Sequence, residues 1–392
     1  MTEVVDLAEL ASSAGLEREL ERLAESRGII RTRQLNGQET WTVLGAALTR
    51  ELLGDPRLSN DVHTHAPQGA LVPGMAVMLL EQDDPGHSRN RRLVSAAFAS
   101  KAVRQLEPRI EEITRQLLDK LGDRGTADFI EEFTYPMPLE VICELLGVPA
   151  EDRVPFRKWA MDISAAPSAE AMQTAAVELF GYCIGLIGAK RERPTEDLLS
   201  ELIAARFEDG GALSDEELSS FAAVLLIAGH DTVTNLLANA LHDLLTHPGQ
   251  LAALRRDPSL VGAAVEEALR FRGSAMTTVN RVAREDIEAG GVTIRAGELV
   301  RFLLTAANRD ADVRADPHAF DIHRATAQHV AFGMGAHFCL GQRLARQEAT
   351  IALTEILRRF GTLELAVPAE EVRWLPSDAI RGLVELPLRY AR

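Results

Sequence analysis

From about residue 88 onward, apolar side chains return every third and fourth position. RLVSAAF, LEPRIEEITRQLLDKLG, LEVICELLGV and LVGAAVEEALRF each gather them on one helical face. The stretch FAAVLLIAGHDTVTNLLANAL is apolar on nearly every side apart from His230, Asp231, Thr232 and Thr234, which predicts a helix buried through the middle of the protein. Ser214 followed by Glu217 reads as a capping box opening that helix, which would run toward Leu245, about 30 residues or about 45 Å. Residues 29 to 44 read as two β-prone stretches joined around Asn36-Gly37, a dipeptide suited to a hairpin turn. Strand-like pieces recur around Ile287 to Val300, with turns at Gly290-Gly291 and Ala296-Gly297, and again in LELAVPAEEV and LVELPLRY. The expected fold is mainly α, with small sheets near both ends. No linker or repeat divides the chain, so residues 1 to 392 read as one domain.

With 46% hydrophobic and 26% charged residues, the chain has ample material for a packed core. Its 42 basic against 58 acidic residues, a net charge of -16, argue against broad attraction to nucleic acid or an anionic membrane. The first 28 residues carry charges every few positions and lack the apolar core of a signal peptide or membrane anchor, so a cytoplasmic location is expected. Cys143 and Cys183 sit in apolar helical segments and read as small buried hydrophobes, usage that fits a reducing compartment.

The third cysteine differs. It stands in Ala331-Phe332-Gly333-Met334-Gly335-Ala336-His337-Phe338-Cys339-Leu340-Gly341-Gln342-Arg343-Leu344-Ala345-Arg346, a glycine-punctuated loop delivering one sulfur to a helix expected to start at about Leu340. Gly333, Gly335 and Gly341 permit backbone shapes and close approaches that suit contact with a flat, bulky group. The helix N-terminus favours a thiolate at Cys339, the form that binds metal. One cysteine and a nearby histidine cannot supply the four ligands of a structural zinc site. Haem brings four nitrogens of its own and needs one axial sulfur, leaving its other face open to dioxygen.

This stretch matches the pattern Phe-Gly-x-Gly-x-His/Arg-x-Cys-x-Gly at every fixed position, and on it the chain resembles the cytochrome P450 family, from about His87 to Arg346. The resemblance implies a helix-rich P450 fold and a haem b held between the long central helix and the cysteine loop. It also implies a haem-thiolate monooxygenase that inserts one oxygen atom from O2 by hydroxylation or epoxidation. In Ala228-Gly229-His230-Asp231-Thr232 a mid-helix glycine signals close approach to the backbone, and the Thr232 hydroxyl could bond the Ala228 carbonyl and open the helix locally. The family's acid and alcohol deliver protons during oxygen activation, which assigns Asp231 and Thr232 that role. Glu267 and Arg270 match the family's buried Glu-x-x-Arg pair, with Arg324 as the arginine that joins it from a later meander. His87, Arg91, Arg281 and His337 match its haem-propionate partners.

Arg89, Arg92, Arg104, Arg343 and Arg346 offer a docking patch for an acidic electron donor, which in soluble members is a ferredoxin served by a ferredoxin reductase. No flavin or nicotinamide fingerprint is present. The expected substrate is a lipophilic small molecule such as a polyketide or terpenoid, in antibiotic biosynthesis, acted on by a monomer. Leu71 to Leu80, the Ala160 to Ala176 region, Leu225, Ala228 and Ala275 to Val279 would line its pocket. Phe271 to Thr277 lacks the proline common in the family after the Glu-x-x-Arg helix, a departure in a recognition region. A peroxide-driven or non-hydroxylating oxidase, a silent haem sensor or recruitment module, and a cofactor-free helical protein are the competing readings. Retention of Cys339 together with Asp231-Thr232 weighs against them.

Overall fold

A computed structural model describes residues 4–7, 19, 22–23, 25, 28–35, 37–65, 79–99, 106–164, 169–312, 315–324 and 329–392. Two compact units make up the chain: Met1–Pro67, Thr114–Thr134 and Thr232–Arg392 in the first, Gln68–Ile113 and Tyr135–Asp231 in the second.

The first unit holds the sheets. Strands β1 (Val4–Asp6), β2 (Ile29–Arg33), β3 (Glu39–Val43), β4 (Leu58–Ser59), β6 (Arg281–Ala283) and β9 (Leu299–Phe302) form one sheet in the order β1-β2-β3-β9-β6-β4. The expected hairpin is β2 and β3, paired antiparallel with Ile29 opposite Val43 and Arg33 opposite Glu39. Its turn closes through the Gly37 N–H donating to the Gln34 carbonyl at 2.9 Å, with Gly37 at φ +80. Asn36 lies outside the described residues. Trp41, Val43, Leu58, Val300 and Phe302 bury together on this sheet. A second sheet pairs β10 (Thr362–Leu365) and β5 (Thr126–Asp128) on either side of β11 (Pro387–Ala391). Phe129 touches Phe133, Phe360 and Tyr390 edge-on or tilted. Both C-terminal strands are shorter than the sequence pattern. β10 stops at Leu365, and Pro368, which lacks an N–H, leads into a 3-10 turn at Ala369–Glu371. The turns at Gly290-Gly291 and Ala296-Gly297 fall where expected, the first joining β7 (Ile287–Ala289) to β8 (Val292–Ile294).

Helices α1 (Gly86–Phe98), α2 (Pro136–Leu146) and α3 (Leu198–Ala204) belong to the second unit, with long helices Arg153–Ser164 and Ala169–Glu192 packed on each other. The Asp197 carboxylate caps α3 by accepting from Ser200 N–H at 2.8 Å and also meets the Lys190 ammonium. That buried pair lies against Gly147, whose φ of +63 ends α2 in a left-handed cap.

Helix α4 (Asp215–Thr246) contributes residues to both units and is 32 residues long. Its capping box forms as expected: Ser214 N–H donates to Glu217 at 2.8 Å, and Glu217 N–H donates to the Ser214 hydroxyl at 3.2 Å. The helix is long and apolar enough to cross a membrane, yet 61% of its most apolar window is buried inside the protein. Helices α5 (Val261–Phe271) and α6 (Gln342–Arg359) pack together in the first unit.

Candidate active site

The cysteine loop is shaped by its own backbone. Gly333 and Gly335 take φ +69 and +71, left-handed values that a side chain would strain. Gly333 N–H donates to the Val330 carbonyl at 2.8 Å, and Cys339 N–H reaches back to the Phe332 carbonyl at 2.9 Å, closing the loop on itself. Asn308 holds the entry by accepting the Val330 N–H at 2.7 Å. Helix α6 begins at Gln342, two residues later than the sequence pattern places it, with Gly341 as its N-cap. The first-turn N–H groups of α6 therefore follow directly on Cys339. Gly341 has an ordinary φ of -80, so turn geometry does not demand glycine there; a Cβ at this residue would meet nothing within 4 Å.

Cys339 is exposed, whereas Cys143 and Cys183 are fully buried. Burial pushes both of those thiols up to about 12, which removes them from thiolate chemistry near neutral pH. Within the loop the exposed residues beside Cys339 are apolar: Gly335, Ala336 and Phe338, the last 38% exposed. An apolar surface with a thiol on it suits the face of a large planar cofactor.

On α4 a second accessible strip interrupts a buried helix. Phe221 to Ala223 and Val233 to Leu241 are buried, but Leu225, Gly229 and Thr232 are half-buried and Ala228 is exposed. Their spacing of three, four and seven puts all of them on one face. Gly229 also serves packing, because a Cβ there would stand 2.8 Å from Cδ1 of Ile142 on α2. The close approach inferred from this glycine is therefore, on one side, a protein contact. His230 is fully buried and its Nδ1–H donates to the Leu226 carbonyl at 2.9 Å, while the ring meets Tyr135 edge-on at 5.2 Å. Burial pushes its pKa down, so the imidazole stays neutral. Asp231 and Thr232 are both half-buried.

Residues 173–373 match the family model described as Cytochrome P450. The chain is 43% identical over 366 residues to Cytochrome P450 monooxygenase PikC of Streptomyces venezuelae, covering 92% of this chain and 88% of that one. It is 39% identical to 6-deoxyerythronolide B hydroxylase of Saccharopolyspora erythraea, over 99% of both chains. Among solved structures it superposes with a TM-score of 0.92 on the P450 enzyme CxnD, which serves C-S bond formation in chuangxinmycin biosynthesis, at 38% identity over 99% of this chain and 98% of that one. The chain belongs to the cytochrome P450 family. It is a monooxygenase, and membership implies a haem cofactor, dioxygen, lipophilic substrates and redox partners.

In this P450 the Glu-x-x-Arg pair is buried as expected. Arg270 donates through Nε and Nη2 to Glu267 at 2.7 and 2.8 Å, and Arg324 Nε approaches the same carboxylate at 3.4 Å. Arg270 also donates to the carbonyls of Pro317 and Ala319, so the pair pins the meander. Arg281 is buried on β6 and donates to the Leu53 carbonyl at 2.8 Å. His87 is buried in α1; burial, then the nearby Arg91 charge, push its pKa down. Arg91 and His337 are half-buried.

The arginines of the expected docking patch have separate fates. Arg89 lies 3.3 Å over the Phe207 ring, Arg92 pairs with Glu208 at 3.4 Å, and Arg343 is exposed. Arg346 turns inward to Glu266, so it is a structural group and not a free surface cation. Arg104, the pocket segment 71–78 and residues 165–168 lie outside the described residues. Three groups that the sequence reading did not single out emerge from tertiary contact: Glu266 with His329 and Arg346, Asp243 with Arg272, and Asn239 with two distant carbonyls. Only Glu266, adjacent to Glu267, carried any sequence signal.

Proposed function

We propose that the Cys339 thiolate would hold the iron of a haem b and that this P450 tailors a lipophilic natural product, such as a polyketide or terpenoid, by inserting one oxygen atom. The observation that carries the reading is the contrast among the three cysteines: Cys339 alone is exposed, on an apolar loop ahead of a helix N-terminus, while the other two are sealed. The residues present fit the cofactor. Open space over Gly341 leaves room for a flat ring system, and the accessible strip of Leu225, Ala228, Gly229 and Thr232 offers a mostly apolar helix face. When bound, the haem supplies dioxygen binding and the oxidising chemistry.

The chain's own residues do the rest. Cys339 is kept as thiolate by the first-turn N–H groups of α6. His87, Arg91, Arg281 and His337 are assigned to the two propionates, where charge-assisted donors hold carboxylates best. Phe332, Gly333 and Gly341 shape the surface beside the sulfur. Asp231 takes up protons and Thr232 passes them on from its hydroxyl, on the accessible face of α4. A ferredoxin with its reductase supplies electrons to a monomeric, cytoplasmic enzyme, read as one domain. Natural-product tailoring draws support from the hydroxylase and the biosynthetic P450 above, whose reactions differ, so hydroxylation or epoxidation is the proposed outcome here.

The ferrous protein with carbon monoxide is expected to show the red-shifted Soret band of a thiolate ligand, and Cys339→Ser to lose it. A histidine-type band in the wild type, or a thiolate band surviving in Cys339→Ser, refutes the assignment. Thr232→Ala is expected to raise peroxide release relative to product at similar rates of electron uptake. Unchanged coupling overturns the proton role of Thr232.

A further inference from the structure

Glu266 and Glu267 are neighbours on α5 with separate tasks. Whereas Glu267 faces Arg270 and Arg324, the Glu266 carboxylate accepts from His329 Nε2 at 3.1 Å and from Arg346 Nε and Nη2 at 2.5 and 3.1 Å. These two partners bracket the cysteine loop, one before it and one after it. On the incoming side, His329 Nδ1 accepts the Ala331 N–H at 3.2 Å, which fixes the tautomer and leaves Nε2–H to donate to Glu266. On the outgoing side, Arg346 also meets the Gln342 side chain in the first turn of α6. Its guanidinium lies 4.5 Å from the centre of the Phe332 ring, and the Phe332 carbonyl is the group that accepts the Cys339 N–H. The His329 ring packs on Phe332 as well, at 6.1 Å.

We propose that Glu266 is a positioning residue for the metal-binding cysteine, clamping the segment that enters its loop through His329 and the helix that leaves it through Arg346. The clamp works on Cys339 through one intermediary, Phe332, held on both sides and bonded to the cysteine's own backbone. It is distinct from the Glu267, Arg270 and Arg324 cluster, which grips the meander. Burial opposes ionisation of Glu266, but the His329 and Arg346 donors overcome it and hold the carboxyl at about 2, so the clamp stays charged across the working range. A bidentate guanidinium on a half-buried carboxylate is a geometry that gives orientation as well as attraction. The inference rests on the reading of Cys339 as the haem ligand.

The test uses the haem-loaded protein and four variants: Glu266→Gln, Arg346→Gln, the double variant, and His329→Gln, which releases only the incoming arm. Asp162→Asn, in the solvent-facing pair of Lys158 and Asp162, is the surface control. Two readouts are taken, the fraction of thiolate-type Soret band in the ferrous carbon monoxide complex and hydrogen-deuterium exchange of peptides covering residues 329 to 346. Glu266→Gln and Arg346→Gln are each expected to convert part of the protein to a non-thiolate band. They should also speed exchange in that segment at least threefold, with peptides of β2 and β3 unchanged. The double variant should fall short of the summed effects of the two single ones, because both remove the Glu266–Arg346 contact. His329→Gln should speed exchange ahead of Cys339 more than beyond it. Wild-type band and wild-type exchange in both Glu266→Gln and Arg346→Gln overturn the proposal, as does faster exchange spread evenly over the chain, the mark of general destabilisation. A wild type without a thiolate band refutes the Cys339 reading instead, and the exchange pattern still decides whether the clamp exists.

Discussion

Glu348, nine residues after Cys339 on α6, carries a carboxyl into the interior with its Oε2 unpartnered and the residue 1% exposed. Burial raises its pKa well above the ordinary value of 4.5, so the folded protein keeps it protonated. Unfolding then releases a proton wherever the pH lies between the unfolded and folded values. Stability is full below about 4.5 and falls as pH rises through that window, by up to about 1.4 kcal/mol per pH unit. Glu348→Gln is expected to be nearly neutral at pH 5 and stabilising at pH 8, read from denaturant melts at both values; an advantage that does not grow with pH overturns the buried-acid account. Gly229 gives a second test at this scale. Gly229→Ala should cost about 1–3 kcal/mol by overpacking Ile142 despite alanine's better helix propensity, and Ile142→Val should recover part of it. An additive double variant would mean that the contact is not the cause. Glycine at 229 was readable as a demand for close approach, but the sequence could not say that a side chain from α2 was one of the groups approaching.

At the scale of elements, the segment after α5 and the segment around Ala379 are stitched into a short ladder. Met276 N–H donates to the Ala379 carbonyl and Arg381 N–H to the Ser274 carbonyl, both at 2.7 Å. Asn239 on α4 fastens both segments to the long helix, donating to the Gly273 and Arg381 carbonyls at 2.7 and 2.8 Å. Arg301 adds a contact to Asp378 at 2.9 Å. These bonds hold the stretch after α5 to the segment around Ala379 and to the long helix. Asn239→Leu should destabilise by about 1–3 kcal/mol, since two buried carbonyls lose their donor. It should also speed hydrogen exchange at Met276 and Arg381 while the carbon monoxide spectrum stays that of wild type. A spectral change with no change in exchange would refute the fastening role. None of this was visible in the chain: the α4 capping box and helix periods are local patterns, whereas Asn239 and Arg381 are joined across 142 positions.

For the whole molecule, the net charge of -16 means that attraction to the proposed acidic electron donor must come from local cations. Arg343 is exposed beside the cysteine loop and Arg346 is committed to Glu266. Arg343→Ala is therefore expected to slow reduction by a ferredoxin and flatten its salt dependence, with the thiolate band intact; equal rates at low salt overturn a docking role. The amino-acid order alone determined the helical periods, the β2-β3 hairpin, the capping box and the family motif at Cys339, because each is written in residues close together along the chain. It also marked Glu267, Arg270 and Arg324 as a set, through the motif. Tertiary structure alone decided that Arg346 turns inward to Glu266 and that Ile142 fills the notch at Gly229. It also decided that Glu266 reaches both sides of the cysteine loop. Those outcomes depend on burial and on partners distant in sequence, and neither is a property of a local stretch of residues.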